Sequence, residues 1–340
     1  MTAYKDIFMS RSDMTIALDI FRALADGTRL RILALLRSME LSVGELAQVL
    51  GQSQPRVSRH VKILCDAGLA ERRKEGSWVF VALGVAERVA PVADALDAWG
   101  AIEPDHWATA DAARLAAVRA DRAASAAQWF EANAREWDAI RSLHIAEEQV
   151  EAAIGAVLGI ARDGGSKVRQ LIDIGTGTGR MLELFAGYAE QALGIDRSSE
   201  MLRLARAKLS SHGVDNTELR QADLYALPLG DGAADLAIVH HVLHFAQQPG
   251  AAIAEAARVL SAGGRLLIAD FAPHDCEELR TRDAHTRLGF SDEQMMTWFA
   301  ASALAPERIE TLEGGELTVK LWLARKRAHT GHTVHEVKAA

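Results

Sequence analysis

Three acids stand at or near the ends of strand-like runs in the second half of this chain. They are Asp173 in LIDIGTGTGRMLELF (171–185), Asp196 in LGID and Asp223 in RQADLYALP. A glycine-rich turn with Gly175, Thr176, Gly177 and Gly179 follows the first of them. Glycines so spaced let the backbone turn sharply and approach a ligand, and the helix that follows offers free N–H groups to an anionic moiety. The turn alone serves nicotinamide, flavin and methyl-donor enzymes alike. Asp196, about twenty residues on, can grip ribose hydroxyls, as nicotinamide proteins also do. Asp223 with its neighbouring backbone can read an adenine amino group, and Asp173 can meet a ligand amine. A pyrophosphate offers no such amine, and an acid so near it is unfavourable.

A second group of reactive side chains lies in HHVLHF (240–245), with His240, His241 and His244. His240 and His244 stand at i, i+4 if the segment is helical, a spacing compatible with metal. The segment holds no carboxylate or cysteine, so no metal site is expected. The histidines, together with His274 and Cys276 in FAPHDCEEL, are candidates for an acceptor pocket, with ordinary packing as the plain alternative.

The third constellation lies far upstream, in SQPRVSRHVKILCDAGL (53–69). On a helical wheel Val57, Val61 and Leu64 form an inward stripe, while Arg56, Arg59 and Lys62 fall opposite, with Ser58 at the edge. Residues 53–74 carry six Lys/Arg against Asp66 and Glu71, a local balance of +4 in a chain of net charge −8. Such a face suits a major groove and its phosphates. The expected DNA contacts are Ser53, Gln54, Arg56, Ser58, Arg59, His60 and Lys62, with Arg72, Arg73 and Lys74 at the tip of a following hairpin. The plain alternative is a solvated basic helix beside a surface hairpin.

The elements that must position these residues fall into zones. The length of 340 residues suggests more than one domain. Residues 14–100 read as helices, a helix-turn-helix and the hairpin LAERR/WVFVAL, with Ser53 as an N-cap and Pro55 in the first turn. Residues 105–158, rich in Ala, Arg and Glu, read as a helical connector anchored by Trp129, Phe130 and Trp137. Residues 159–326 alternate strand-like and helical runs, which argues for a parallel sheet covered on both faces. Residues 327–340 read as a flexible tail. The fold class is therefore an α+β winged helix-turn-helix domain followed by an α/β Rossmann-like domain.

Two cysteines, Cys65 and Cys276, are too few for a disulfide framework or a cysteine-based zinc site, which fits a reducing cytoplasm. No signal peptide is visible, and no apolar run approaches the ~20 residues needed to cross a bilayer. No membrane partner is expected.

ALADGTRLRILALL, ELSVGELA, SQPRVSRHVKILCDAGL and RRKEGSWVFVAL, in this order, resemble the arsenic-repressor (ArsR/SmtB) family of winged-helix regulators. The resemblance implies a homodimer paired through its first and last helices, here 15–25 and 85–99, with two copies of 53–64 reading an inverted repeat of double-stranded operator DNA. Arsenic-sensing members carry paired cysteines in the segment corresponding to ELSVGEL. Here those positions are Ser42 and Gly44, which cannot replace soft thiolates. The spaced His and carboxylates of zinc-sensing members are also missing, so this domain is not expected to sense metal.

DIGTGTG, GIDRSSEML, ADLYALP and RVLSAGGRLLIADF resemble class I S-adenosylmethionine-dependent methyltransferases of the ubiquinone-biosynthesis type. The resemblance covers about residues 125–325. It implies that the turn cradles the methionine part of the donor, Asp196 holds the ribose, Met201 flanks the adenine and Asp223 binds its exocyclic amine, with Arg197 and Leu224 also in the cofactor site. AHTRLGFSDEQ (284–294) resembles the substrate-side segment of related methyltransferases, which implies a cover over the site. Arsenite methylation needs several cysteines, and this half has one.

Two functions fit these motifs. In one, the chain is a repressor whose methyltransferase-like domain binds S-adenosylmethionine or S-adenosylhomocysteine as effector or cosubstrate. In the other, it is an active methyltransferase of a small-molecule acceptor, with a winged helix controlling its own gene.

Overall fold

The computed structural model describes residues 11–75, 78–100, 108–118, 146–159 and 167–328, with the single positions 120, 132 and 134. The chain divides into two compact units, Met1–Ala124 and Ser125–Ala340. Trp129, Phe130 and Trp137 of the expected connector, and residues 329–340 of the expected tail, lie outside the described residues.

In the first unit, α1 (Arg11–Leu24) is followed by α2 (Gly27–Leu36). Asp26 caps α2, accepting from the N–H groups of Thr28 and Arg29 at 2.9 and 3.1 Å. A short strand, β1 (Leu41–Ser42), leads into α3 (Val43–Leu50), which ends at Gly51 in a left-handed conformation (φ 63). A left-handed cap strains glycine little because it has no Cβ. Next comes α4 (Gln54–Asp66), with Pro55 in its first turn. Ser53 precedes α4, but its side chain makes no capping hydrogen bond. The hairpin strands β2 (Ala70–Glu75) and β3 (Trp78–Leu83) pair antiparallel, and β1 joins β3, giving the order β1-β3-β2. Helix α5 (Ala86–Gly100) closes the winged helix.

The inward stripe behaves as its spacing requires. Val57, Val61 and Leu64 are fully buried with Ile32, Leu41, Leu46, Leu69 and Val81. Each such side chain contributes about 1.5–3 kcal/mol on leaving water. Leu115 and Val118, in the helical run 108–118, join this core. Asp111 accepts from Arg31 Nε and Nη2, each at 2.6 Å, and from Arg114 Nη2 at 2.8 Å. The first part of the expected connector is thus packed into the winged-helix unit.

In the second unit, α6 (Glu147–Leu158) precedes β4 (Val168–Ile174), α7 (Arg180–Phe185), β5 (Ala189–Asp196), α8 (Ser199–Ser211) and β6 (Thr217–Gln221). Then follow β7 (Ala234–His240), α9 (Pro249–Val259), β8 (Leu260–Phe271), α10 (Glu278–Arg282), α11 (Asp292–Ala301), β9 (Leu304–Leu312) and β10 (Val319–Lys326). The sheet order is β6-β5-β4-β7-β8-β10-β9. The first five strands in that order are parallel, and β10 runs antiparallel to both β8 and β9. The sheet is therefore mixed, not purely parallel as the alternation alone suggested.

Period-two alternation sorts each central strand onto two faces. Ile172, Ile174, Ala237, Val239, Leu266, Ile268 and Trp322 pack with Ile253, Ala256, Met295 and Phe299 of α9 and α11. Leu171, Leu236, Ile238, Leu267, Ala269, Leu321 and Leu323 pack with Val150, Ile154, Met181, Leu182 and Leu209 of α6, α7 and α8. Both faces are covered, so the strands read as continuous apolar runs. Among the described residues, no helix is long and apolar enough to cross a membrane.

Candidate ligand cradle and nucleic-acid interface

The glycine turn follows β4 directly. Gly175, Gly177 and Gly179 all have positive φ (74, 53 and 83). A Cβ on Gly175 would stand 2.4 Å from Val242 Cγ2, so this glycine serves both conformation and close approach. The N–H groups of Gly175 and Thr176 donate to Ile195 O at 2.7 and 2.9 Å, tying the turn to β5.

The acids are held in place. Asp173 is buried and accepts from Thr176 Oγ1 at 2.6 Å. Asp196, at the end of β5, accepts from Gly177 N at 2.9 Å and Ser198 N at 2.8 Å. Burial pushes its carboxyl above the ordinary range, against the pull of the Ser198, Gly177 and Arg197 N–H groups. Met201 is buried in the first turn of α8, which Ser198 caps at 3.2 Å, while Arg197 is exposed. Asp223 lies two residues beyond β6, is exposed, and accepts from Tyr225 N at 3.0 Å; Leu224 beside it is half-buried. These hydrogen bonds order the segments that follow β4, β5 and β6.

The histidines converge in a way that helical spacing did not describe. His240 is the last residue of β7, and His244 lies in a single 3₁₀ turn, Leu243–Phe245. His240, His241 and His244 are all buried. His241 has φ 53, and its ring centroid lies 4.5 Å from that of His240 and 6.1 Å from that of His244.

Two carboxylates that sequence reasoning missed stand beside them. Asp270, in β8, is fully buried and lies 2.8 Å from His244 Nδ1. It also accepts from the N–H groups of Leu243, His244 and Phe271 at 2.9, 3.3 and 2.8 Å. Burial pushes its carboxyl up to about 6, although His241 and these donors pull the other way. Glu147, in the first turn of α6, brings Oε2 to 3.9 Å from His240 Nε2. Asp270 was legible as the acid in LLIADF; Glu147 carried no local signal.

The backbone N–H of His274 donates to Leu288 O at 3.0 Å, its Nδ1 accepts from Cys276 N at 3.3 Å, and its ring centroid lies 6.0 Å from that of Phe271. The 284–294 stretch crosses the histidines: Thr286 N and Arg287 N both donate to His244 O at 2.9 Å, and the rings of His285 and His244 are 4.3 Å apart.

In the first unit, α4 exposes Ser53, Gln54, Arg56, Arg59 and Lys62, while Ser58 is half-buried. Lys62 Nζ pairs with Asp66 Oδ2 at 2.7 Å on the surface. Arg72 Nη2 donates to Ser58 O at 2.7 Å, joining wing to helix.

Three expectations need correction. His60 turns toward Asp26, with Nδ1 3.6 Å from Oδ1, and its side chain is only 13% exposed. It follows Val57 by three positions and precedes Val61 by one, so it flanks the buried stripe. Arg73 pairs with Glu40 at 2.7 Å and also with Glu71. Residues alternate across a strand, so Arg72 and Lys74 are exposed and Arg73 is not. All three lie within β2 and pair with Val81, Phe80 and Val79, so they are not at the hairpin tip.

Ser42, where thiolates were sought, has a structural role. Its hydroxyl accepts from Glu45 N at 3.2 Å, and its own N–H donates to Glu45 Oε2 at 2.8 Å, a capping box on α3.

Two family models match the chain: "Bacterial regulatory protein, arsR family" over residues 26–72 and "Methyltransferase domain" over residues 172–268. The arsenic resistance transcriptional regulator ArsR1 of Pseudomonas putida is 39% identical over 98 residues, which is 28% of this chain and 75% of that protein. The uncharacterized methyltransferase YcgJ of Bacillus subtilis is 32% identical over 107 residues, 31% of this chain and 42% of that protein. The chain spans between 35% and 54% of the length of the first curated relatives it matches. A solved complex between the Haloferax volcanii Trm112 methyltransferase activator and a methyltransferase matches 61% of this chain and 100% of that chain. Its TM-score of 0.50 at 18% identity is a likeness of fold alone.

Proposed function

Because the chain belongs to the arsR family of bacterial regulatory proteins and carries a methyltransferase domain beside that regulator, we propose that it is a DNA-binding repressor whose second unit binds S-adenosylmethionine or S-adenosylhomocysteine as its signal. One observation carries this reading. The cradle is preorganised, with Gly177 N held on Asp196 Oδ2 and three left-handed glycines. In this reading the turn receives the methionine part, Asp196 the ribose, and Asp223 the adenine amine. Residues 14–100 hold one cysteine, Cys65, and so no thiol pair, and the Ser42 hydroxyl serves a helix cap.

The DNA-contacting residues in this reading are Ser53, Gln54, Arg56, Ser58, Arg59, Lys62, Arg72 and Lys74. A homodimer is supported by α1, which exposes Met14, Ile16, Leu18 and Phe21. Exposed apolar side chains clustered on one helix mark an interaction surface. Two copies of α4 then read an inverted repeat of operator DNA, in the cytoplasm.

Regulation requires that the donor bind the DNA-bound and free states with unequal affinity. Binding of the protein to its own upstream DNA, measured by fluorescence anisotropy with and without each cofactor, tests this. Unchanged operator affinity at cofactor levels that calorimetry shows to be saturating overturns it.

A second reading, methylation of a small-molecule acceptor, is favoured by the buried pair of Asp270, in β8, with His244, in the segment after β7 whose Val242 packs on Gly175. With the carboxylate ionised, Nδ1–H donates to it, and Nε2 is the basic nitrogen that takes an acceptor proton. Labelled donor incubated with cell extract and the protein tests this reading: a methylated product supports it, and donor binding without turnover removes it.

A further inference from the structure

The end of β7 has a feature that neither donor binding nor operator binding uses. In a regular strand, neighbouring side chains point to opposite faces. His240 and His241 instead bring their ring centroids to 4.5 Å, at an interplanar angle of 63°. The cause is the left-handed backbone at His241 (φ 53), which is rare for a residue other than glycine. Such conformations persist where surrounding structure over-determines them, and they cluster at ligand sites. Here His241 N is anchored on Ala269 O at 2.8 Å. Glu147 approaches from α6, and its carboxylate and the two imidazoles place one ligand atom each within 4.8 Å of one another.

We propose that Glu147, His240 and His241 form a binding site for a divalent first-row transition-metal ion. The proposal goes beyond the reading of the donor pocket and does not depend on it. Two imidazoles and one carboxylate suit zinc, cobalt or iron(II) and leave coordination positions for water or a small molecule. Ligand atoms on a shell of ~2.0–2.2 Å stand about 3–3.5 Å apart, so the three groups draw together by about an ångström on binding.

The surroundings fit a cation. Asp270 lies within the same distance of His241 and His244, but its oxygens already accept from three backbone N–H groups and His244 Nδ1. It therefore stays outside the ligand set and supplies a negative charge beside His241. Val242, next to His241, packs on Gly175, so an ion here sits beside the glycine turn. The segment HHVLHF by itself holds no carboxylate, which argued against metal; the fold supplies one from a helix about ninety residues upstream.

The test uses the full chain, stripped with chelator and titrated with Co²⁺, whose visible absorption reports coordination by nitrogen and oxygen. His329, His332 and His335 of the C-terminal stretch are first replaced by alanine, because histidines so spaced bind cobalt themselves. The expected result is one tight equivalent per chain, displaced by Zn²⁺, with affinity falling at least tenfold in Glu147→Gln and in His241→Ala. His212→Ala, on the exposed end of α8, is expected to bind as the parent does. Calorimetric binding of S-adenosylhomocysteine to each variant reports whether the unit is folded. A parent that takes up no cobalt while binding S-adenosylhomocysteine overturns the proposal and leaves the donor reading intact. Equal cobalt affinity in the parent and both ligand variants also overturns it.

Discussion

Gly177 donates its backbone N–H to Asp196 Oδ2 at 2.9 Å, so the glycine turn after β4 and the acid at the end of β5 form one unit. The carboxylate that would meet a ribose also holds the turn that would meet the rest of the ligand. Replacing Asp196 by Asn should therefore weaken S-adenosylhomocysteine binding by about 10- to 150-fold, the ~1.5–3 kcal/mol of charged hydrogen bonds. Calorimetry checks the affinity, and unchanged binding removes Asp196 from the site.

The acid dependence of the same group has a definite sign. Burial raises the Asp196 carboxyl above its ordinary value of 3.8. Donor affinity should hold at neutral pH and fall as pH drops through that raised value. The folded state takes up this proton more readily than the unfolded chain, so protonation of Asp196 itself favours folding as donor binding fades. Asp196→Asn should flatten the affinity profile across that window.

Gly175 faces two constraints that a double substitution separates. Alanine there is strained at φ 74 by about 1–2 kcal/mol and meets Val242 Cγ2. Gly175→Ala should lower donor affinity at least tenfold and reduce the melting temperature of the second unit. Adding Val242→Ala should restore part of the stability and no more, because the backbone strain remains. Full restoration by Val242→Ala would show that φ is immaterial.

The basic residues near the wing should fall into two classes. Arg56→Ala and Arg59→Ala should weaken operator binding, and each arginine–phosphate pair so removed should lower the salt slope by ~0.9. Arg73→Ala should leave that slope unchanged and lower stability instead, since Arg73 is committed to Glu40 and Glu71. Anisotropy titrations at several salt concentrations distinguish the two outcomes.

Asp111 gives the first unit an acid limit. Burial opposes ionisation, but Arg31 and Arg114 outweigh it and hold the carboxyl below 3.8. Its stabilisation is present above that value and is lost as pH falls below it toward the folded-state value. Asp111→Asn should cost about 1.5–3 kcal/mol at neutral pH and remove this acid dependence, as read by denaturant unfolding at a series of pH values.

What the residues alone determined follows from near-neighbour physics. The stripe of Val57, Val61 and Leu64 was readable because the helix repeats every 3.6 residues, and all three are fully buried. The turn at Gly175, Gly177 and Gly179 was readable because a left-handed backbone favours glycine. Strand order and register lie beyond that reach. They bring Asp270, and the packing of α6 brings Glu147, to histidines at the end of β7. They also make the sheet mixed at β10, and the packing of the first unit brings Asp26 to His60 and Glu40 to Arg73. Local sterics act over a few residues, whereas these pairings join positions tens of residues apart, so only the closed sheet and its packed helices decide them.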